Sequence, residues 1–394
     1  MYETQPRLFE MPDTAALSGA IMVNAHYTAS GAGSLRQLGE MAKGYGKSAL
    51  VVTHRPGRMR AAGAVEVARA SLSEWGISST IFEVGRTPTT AEIDAGAELV
   101  RGSGLDMSIG IGGGSALDAS KAISLLSANG EHWDELQAGD RGIRFPGPTI
   151  IAVPTTAGSG SEATAVAVVA NKNLGIIKSV SHPFMIPTAV ILDQSLIVSV
   201  SAQLHALSGL DAFSHAIESF TSRRASDLTK RASITAFTML FESLPKVVAG
   251  DPKDEDYTNL MLGSHLAGKA LSAGVGAAHI LAQPISAVLD VDHGTALSLV
   301  LEEVIRFNEE LPEDPYHALT AALRGKSEPS LLMSEFVGNF MTDIDVKHRA
   351  SKFGSTKAIP MILDVVKKST GHIWTNPRAV SIEALEEILW RSWG

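Results

Sequence analysis

Met107-Ser108-Ile109-Gly110-Ile111-Gly112-Gly113-Gly114-Ser115-Ala116-Leu117-Asp118-Ala119-Ser120-Lys121 is the stretch on which the fold turns. Its first five residues form an apolar run of strand length, and Ala116 to Leu126 reads as a helix. Between them, Gly112, Gly113 and Gly114 lack β-carbons, so backbone N–H groups can approach a ligand closely before Ser115. A strand that feeds such a turn and then a helix presents a helix N-terminus, where a pyrophosphate is stabilised. Asp118 falls in the first helical turn, where negative charge favours the helix but would repel phosphate. The run departs from the usual dinucleotide fingerprint, because Gly110-x-Gly112-x-x-Ser115 lacks the last glycine and lies far from the first strand. Read alone, it fits a tight turn needing positive φ as well as a phosphate cradle.

Outward from this stretch, similar apolar runs recur: Ala49 to Thr53, Thr80 to Val84, Thr149 to Val153 and Ala189 to Leu192. Ala62 to Trp75 and Ala91 to Arg101 lie between them with helical spacing of apolar residues. Near-continuous apolar strands separated by helices predict a parallel sheet covered on both faces. After Ser201 the texture becomes Ala/Leu-rich, with long amphipathic patterns over Lys230 to Val248 and Asn259 to Leu271, and no strand pattern. The expected architecture is an N-terminal α/β domain, 1–195, with a Rossmann-like parallel sheet. An all-helical domain, 196–394, follows it.

With 394 residues the chain is long enough for two domains, each with its own core. A net charge of -9 with no dense Lys/Arg cluster argues against nucleic acid as a partner. Arg55, Arg58 and Arg60 are the nearest approach to a basic patch. Cysteine is absent, which excludes disulfides and thiolate metal sites. No apolar run is long enough to span a bilayer and no signal-peptide pattern opens the chain, so the expected location is cytoplasmic, away from membranes.

Asp211 and His215 are four apart in a helical stretch, so both project from one face. His279 and His293 follow in Ala278-His279 and Asp292-His293-Gly294. One carboxylate and three imidazoles suit a borderline divalent cation and not calcium or magnesium. Spacing alone, however, does not single out these imidazoles among 12 histidines.

The order of motifs from Gly31-Ala32-Gly33 to Asn376-Pro377-Arg378 does. Ile109 to Lys121, Pro154-Thr155-Thr156-Ala157-Gly158-Ser159-Gly160-Ser161-Glu162, Gly209-Leu210-Asp211-Ala212-Phe213-Ser214-His215-Ala216-Ile217-Glu218 and the stretch Gly274 to Gly294 stand in sequence. Together they resemble the iron-containing (group III) alcohol dehydrogenase family, whose architecture is shared with dehydroquinate synthase. The resemblance implies one divalent metal, Fe2+ or Zn2+, on Asp211, His215, His279 and His293. It implies NAD or NADP at Gly112, Gly113, Gly114, Ser115 and Asp118. The hydroxyls of Thr155, Thr156, Ser159 and Thr164 would line the nicotinamide side, and Lys178 the ribose region. The implied reaction is hydride transfer between a small alcohol or aldehyde and the cofactor, in a homo-oligomer, expected to be a dimer. Maleylacetate reductase-like and glycerol dehydrogenase-like oxidoreductases, and more distantly a dehydroquinate synthase-like lyase, are the neighbouring activities.

Three departures from the family pattern bear on specific roles. Many members carry Asp after the first strand, where it reads the adenosine ribose; here the run is Val52-Thr53-His54-Arg55-Pro56. His54 cannot replace that acid, and when protonated would attract a 2′-phosphate. The common Asn-Pro-Thr is Thr87-Pro88-Thr89. Last, Gln283 stands where many alcohol-oxidising members have a further His; it can position a substrate by hydrogen bonding but cannot titrate. Substrate identity is not legible, since kinship of fold sets a reaction class only.

Overall fold

The computed structural model describes residues 25–56, 63–139, 142–323, 332–368 and 375–394. Its first half carries β1 (Tyr27–Ser30), β2 (Ser48–His54), β3 (Ser78–Val84), β4 (Met107–Gly112), β5 (Thr149–Pro154), β6 (Val166–Asn171), β7 (Ile176–Ser181) and β8 (Ala189–Leu192). Among them lie helices α1 (Leu38–Ala42), α2 (Ala64–Glu74), α3 (Thr90–Ser103), α4 (Gly114–Asn129) and α5 (Trp133–Ala138). Six strands form one sheet in the order β1-β8-β5-β4-β2-β3, every neighbouring pair parallel. β6 and β7 form a separate antiparallel hairpin.

Alternation along each strand explains the two covered faces. Ala49 and Val51 join Ile109, Ile111 and Val153 in a core against α1 and α2. Leu50 and Val52 point the other way, into a core with α3 and α4. Helix α4 is buried along most of its length, which is why its sequence is apolar nearly all round. Helix α3 is started by a capping box, Thr89 with Glu92.

The strand order also locates the ligand-binding end. From β2 the chain moves outward to β3, and from β4 it moves the opposite way to β5, so the winding reverses between β2 and β4. In open α/β sheets ligands bind beyond the carboxyl ends of the strands at such a reversal. His54 ends β2 and Gly112 ends β4.

The second half is helical among the described residues. It comprises α6 (Ala202–Thr221), α7 (Asp227–Ala249), α8 (Asp254–Ala270), α9 (Ala277–Leu289), α10 (His293–Glu309), α11 (His317–Ala322), α12 (Met333–Asp343), α13 (Ala358–Lys368) and α14 (Ile382–Trp393). The expected combination of a parallel-sheet domain and a helical domain is therefore what the chain forms. The sequence reading passed over β1 and the β6–β7 hairpin. Ser115, expected in the turn, lies in the first turn of α4, which begins two residues earlier than read. No single helix among the described residues is long and apolar enough to cross a membrane.

Candidate active site

Helix α6 supplies Asp211 and His215, one turn apart. Helix α9 supplies His279 and helix α10 begins at His293. All three imidazoles converge on one oxygen. Asp211 Oδ1 lies 3.4 Å from His215 Nε2, 3.4 Å from His279 Nε2 and 3.6 Å from His293 Nε2. The donor atoms of Asp211, His215 and His279 all fall within 4.8 Å of one another, a spacing a single cation can span. The His215 and His279 rings stack with centroids 4.5 Å apart.

Burial and charge oppose each other here. Burial pushes the His215 imidazole down to about 4 despite Asp211, leaving a neutral ring with a free lone pair. Burial alone would raise the Asp211 carboxyl, yet the surrounding imidazoles hold it well below the usual carboxylate range. Burial likewise disfavours a charged His279, but Glu218 and Asp211 on its two sides raise it to about 9. His293 is the solvent-facing member, its side chain 42% exposed.

Glu218 was in the quoted motif but received no role from the sequence. It is buried on α6, and its Oε2 accepts from His279 Nδ1 at 2.6 Å while Oε1 accepts from Ala278 N at 2.8 Å. A readable signal existed: Asp211, His215 and Glu218 follow i, i+4, i+7 spacing and share one face of α6.

On the sheet side, each glycine of the turn is closely faced by a side chain. A β-carbon on Gly112 would meet Ala116 and the His54 ring; on Gly113, Thr156 Oγ1 at 3.2 Å; on Gly114, Ser159 Oγ at 2.5 Å. No side chain caps the start of α4. A glycine cradle at an uncapped helix N-terminus, with Thr156 and Ser159 hydroxyls over it, has the donor chemistry for a pyrophosphate. Thr155 is buried, its amide donating to the Gly112 carbonyl at 2.9 Å. Ser115 Oγ donates to the Arg86 carbonyl at 2.6 Å.

Several expected cofactor contacts are engaged elsewhere. Asp118 does not face a ligand: Oδ1 accepts from Ser161 Oγ at 2.5 Å, Oδ2 from Val168 N at 3.0 Å, and Lys121 Nζ is 3.1 Å away. The carboxylate thus ties α4 to the loop and hairpin lying over it. Thr164 Oγ1 accepts from that same buried Lys121. Lys178 is exposed on β7 and donates to the Gln137 carbonyl on α5. His54 is 2% exposed, and burial lowers its imidazole below the ordinary value, so the ring is neutral at pH 7. Attraction of a phosphate by a protonated His54 therefore falls away. Arg55 pairs with Glu92 at 2.7 Å. Arg58 and Arg60 lie outside the described residues.

Contacts among the described residues join the sheet side of the site to the helical side. Gly158 lies against α6, where a β-carbon would stand 2.8 Å from Ser208, three residues before Asp211. Arg86, bonded to Ser115 through its carbonyl, pairs through its guanidinium with Asp292, the residue before His293. Gln283, one turn after His279, donates to the Ile177 carbonyl of β7 at 3.3 Å. The glycine turn and the histidine cluster are thus carried on segments that touch one another.

Comparison with known proteins gives a family to this geometry. The model described as "Iron-containing alcohol dehydrogenase" matches residues 26–194, and "Fe-containing alcohol dehydrogenase family, C-terminal" matches residues 205–393. The chain belongs to the iron-containing alcohol dehydrogenase family. It is 30% identical over 387 residues to the Escherichia coli strain K12 protein named "Probable alcohol dehydrogenase EutG", covering 97% of each chain. It is 31% identical to the NAD-dependent methanol dehydrogenase of Bacillus methanolicus over 281 residues, 71% of this chain and 73% of that one. The alcohol dehydrogenase structure from Oenococcus oeni superposes with a TM-score of 0.87 at 26% identity, covering 95% of this chain and 100% of that one. As an iron-containing alcohol dehydrogenase, the protein is an oxidoreductase that works between an alcohol and its carbonyl counterpart. That sets aside the lyase alternative.

Proposed function

We propose that this alcohol dehydrogenase depends on NAD(P) and on one divalent ion, Fe2+ or Zn2+, held by Asp211, His215, His279 and His293. The observation that carries the reading is three imidazole nitrogens within 3.6 Å of a single carboxylate oxygen. One negative ligand against a 2+ charge leaves Lewis acidity for the substrate's oxygen when the ion is bound. The name of the Bacillus methanolicus relative supports a nicotinamide cofactor, which supplies the hydride chemistry.

The remaining work falls to this chain's own groups. Gly112, Gly113 and Gly114 let amide donors reach the pyrophosphate, while Thr156 and Ser159 flank it. Thr155 fixes the loop to β4, and Asp118 and Thr164 support it from beneath. Residues 1–195 hold the nucleotide and residues 196–394 the ion, so hydride transfer needs both. His293, the exposed ligand, marks the side from which alcohol enters. Gln283 hydrogen-bonds and orients the substrate and has no proton to exchange.

Elemental analysis of purified variants tests the metal assignment. Alanine at Asp211, His215, His279 or His293 should remove most metal and nearly all activity. His205→Ala and His265→Ala should keep their metal, because His205 Nε2 bonds the Ile197 carbonyl and His265 bonds Glu162. Full metal occupancy in His279→Ala would sink the assignment. Oxidation of neither NADH nor NADPH with a panel of short aldehydes would sink the cofactor reading.

A further inference from the structure

We propose that Glu218 is a positioning residue for the metal site, fixing the His279 ring through Nδ1–H so that Nε2 is the nitrogen turned to the Asp211 side and offered to the ion. The proposal rests on the metal reading above and adds to it a residue outside the ligand set. Glu218 is 5% exposed, and its oxygens accept from Ala278 N–H at 2.8 Å and His279 Nδ1–H at 2.6 Å, with the Gly276 amide also hydrogen-bonding the carboxylate. An ionised carboxylate only accepts, so the ring nitrogen facing it must carry hydrogen. The opposite nitrogen is then the one 3.4 Å from Asp211 Oδ1. His215 has no such device, since its Nδ1 is buried without a partner among the described residues.

The backbone is built around this contact. A β-carbon at Gly276 would lie 2.7 Å from Glu218 Oε1 and 2.9 Å from Asn376 Oδ1, so only glycine lets both side chains reach the start of α9. Asn376 Oδ1 accepts from Ala277 N at 3.2 Å, and its Nδ2 donates to Asn308 Oδ1 at 2.8 Å. Two side chains thus hold the same helix start, but only Glu218 touches the imidazole. That separates positioning of the helix from control of the tautomer.

Glu218→Gln breaks the second function selectively. The amide carbonyl must remain toward Ala278 N–H, which turns the NH2 toward Nδ1. Nδ1 must then accept, and the ring proton moves to Nε2, where it blocks a ligand bond.

The test measures Zn2+ affinity of full-length variants by competition with a chromophoric chelator. Glu218→Gln should bind Zn2+ about 10- to 100-fold more weakly, the usual cost of losing such a partner. Asn376→Ala should lower thermal stability but leave Zn2+ affinity within about threefold of wild type, because the imidazole contact survives. A second measurement needs no variant: Zn2+-loaded wild type labelled with 15N-histidine should show a downfield, exchange-protected Nδ1 proton close to the Ala278 amide. Wild-type affinity in Glu218→Gln, an equal loss in Asn376→Ala, or absence of that proton would overturn the proposal. If His215→Ala binds Zn2+ as wild type does, the metal reading itself has failed, a result distinct from all three.

Discussion

Glu92 decides whether Arg55 is available to a cofactor. Its carboxylate accepts from Thr89 N and Thr89 Oγ1 at 2.9 Å and from Gly85 N at 3.0 Å, and it pairs with Arg55 at 2.7 Å. Arg55 sits next to His54 at the carboxyl end of β2, the end of the sheet that faces an adenosine ribose in this kind of fold. Glu92→Gln keeps the capping box, since Gln serves at that position, but removes the charge that neutralises the guanidinium. NADP(H) should then gain on NAD(H) in kcat/KM by about fivefold or less, the scale set by an exposed ion pair of ~1 kcal/mol. An unchanged ratio would show that Arg55 does not reach the 2′ position. Sequence made the missing acid at His54 visible, but not that the ring is buried against Gly112, nor that Arg55 has a partner 37 residues away. Asp118 misled for the same reason. Expected in the first turn, Asp118 lies one turn further in because α4 starts at Gly114, and it faces the covering loop through Ser161, 43 residues on.

Two glycines meet where the 159–163 loop packs on α8. A β-carbon on Gly268 would lie 2.7 Å from both Gly160 Cα and Gly160 O, backbone atoms that cannot rotate aside. Close by, Glu162 and His265, both buried, pair at 3.2 Å across the same junction. Gly268→Ala should therefore push α8 off the 159–163 loop and destabilise the protein by about 1–3 kcal/mol, as overpacking does. Because Ser159 lies on that loop, the cofactor KM should rise more than kcat falls. A Gly268→Ala protein with wild-type thermal stability would refute the close approach. Elements of this kind were only partly legible. β4 and α4 announce themselves by a change of period at the glycine run. The β6–β7 hairpin carried its own signal, Val166-Ala167-Val168-Val169-Ala170 before the turn residues Asn171-Lys172-Asn173, but this followed so closely on the Ser/Thr/Gly loop that the two read as one irregular segment. The approach of Gly160 to Gly268 leaves no trace in spacing, because it joins positions more than a hundred residues apart.

At the scale of the whole molecule, the two halves differ in texture yet share a core. Leu117 from α4, Ala152 from β5, Ala157 from the loop and Val190 and Leu192 from β8 belong to one apolar cluster with Leu210, Phe213, Ala216 and Ile217 of α6. Separating the halves would expose that cluster and break the Glu162–His265 contact across the junction. Exposing apolar surface costs stability in proportion to its area, and a domain's net stability is small. Neither half should therefore persist folded once the other has gone, although composition alone suggests two independent units. Urea unfolding followed by hydrogen exchange should give coincident midpoints for peptides from β4, in the first half, and from α7, in the second. Two resolved midpoints would mean that the junction contributes little. Coincidence would mean that glycine turn and histidine cluster are built on a single cooperative body, which is what holding both sides of a hydride transfer in register requires.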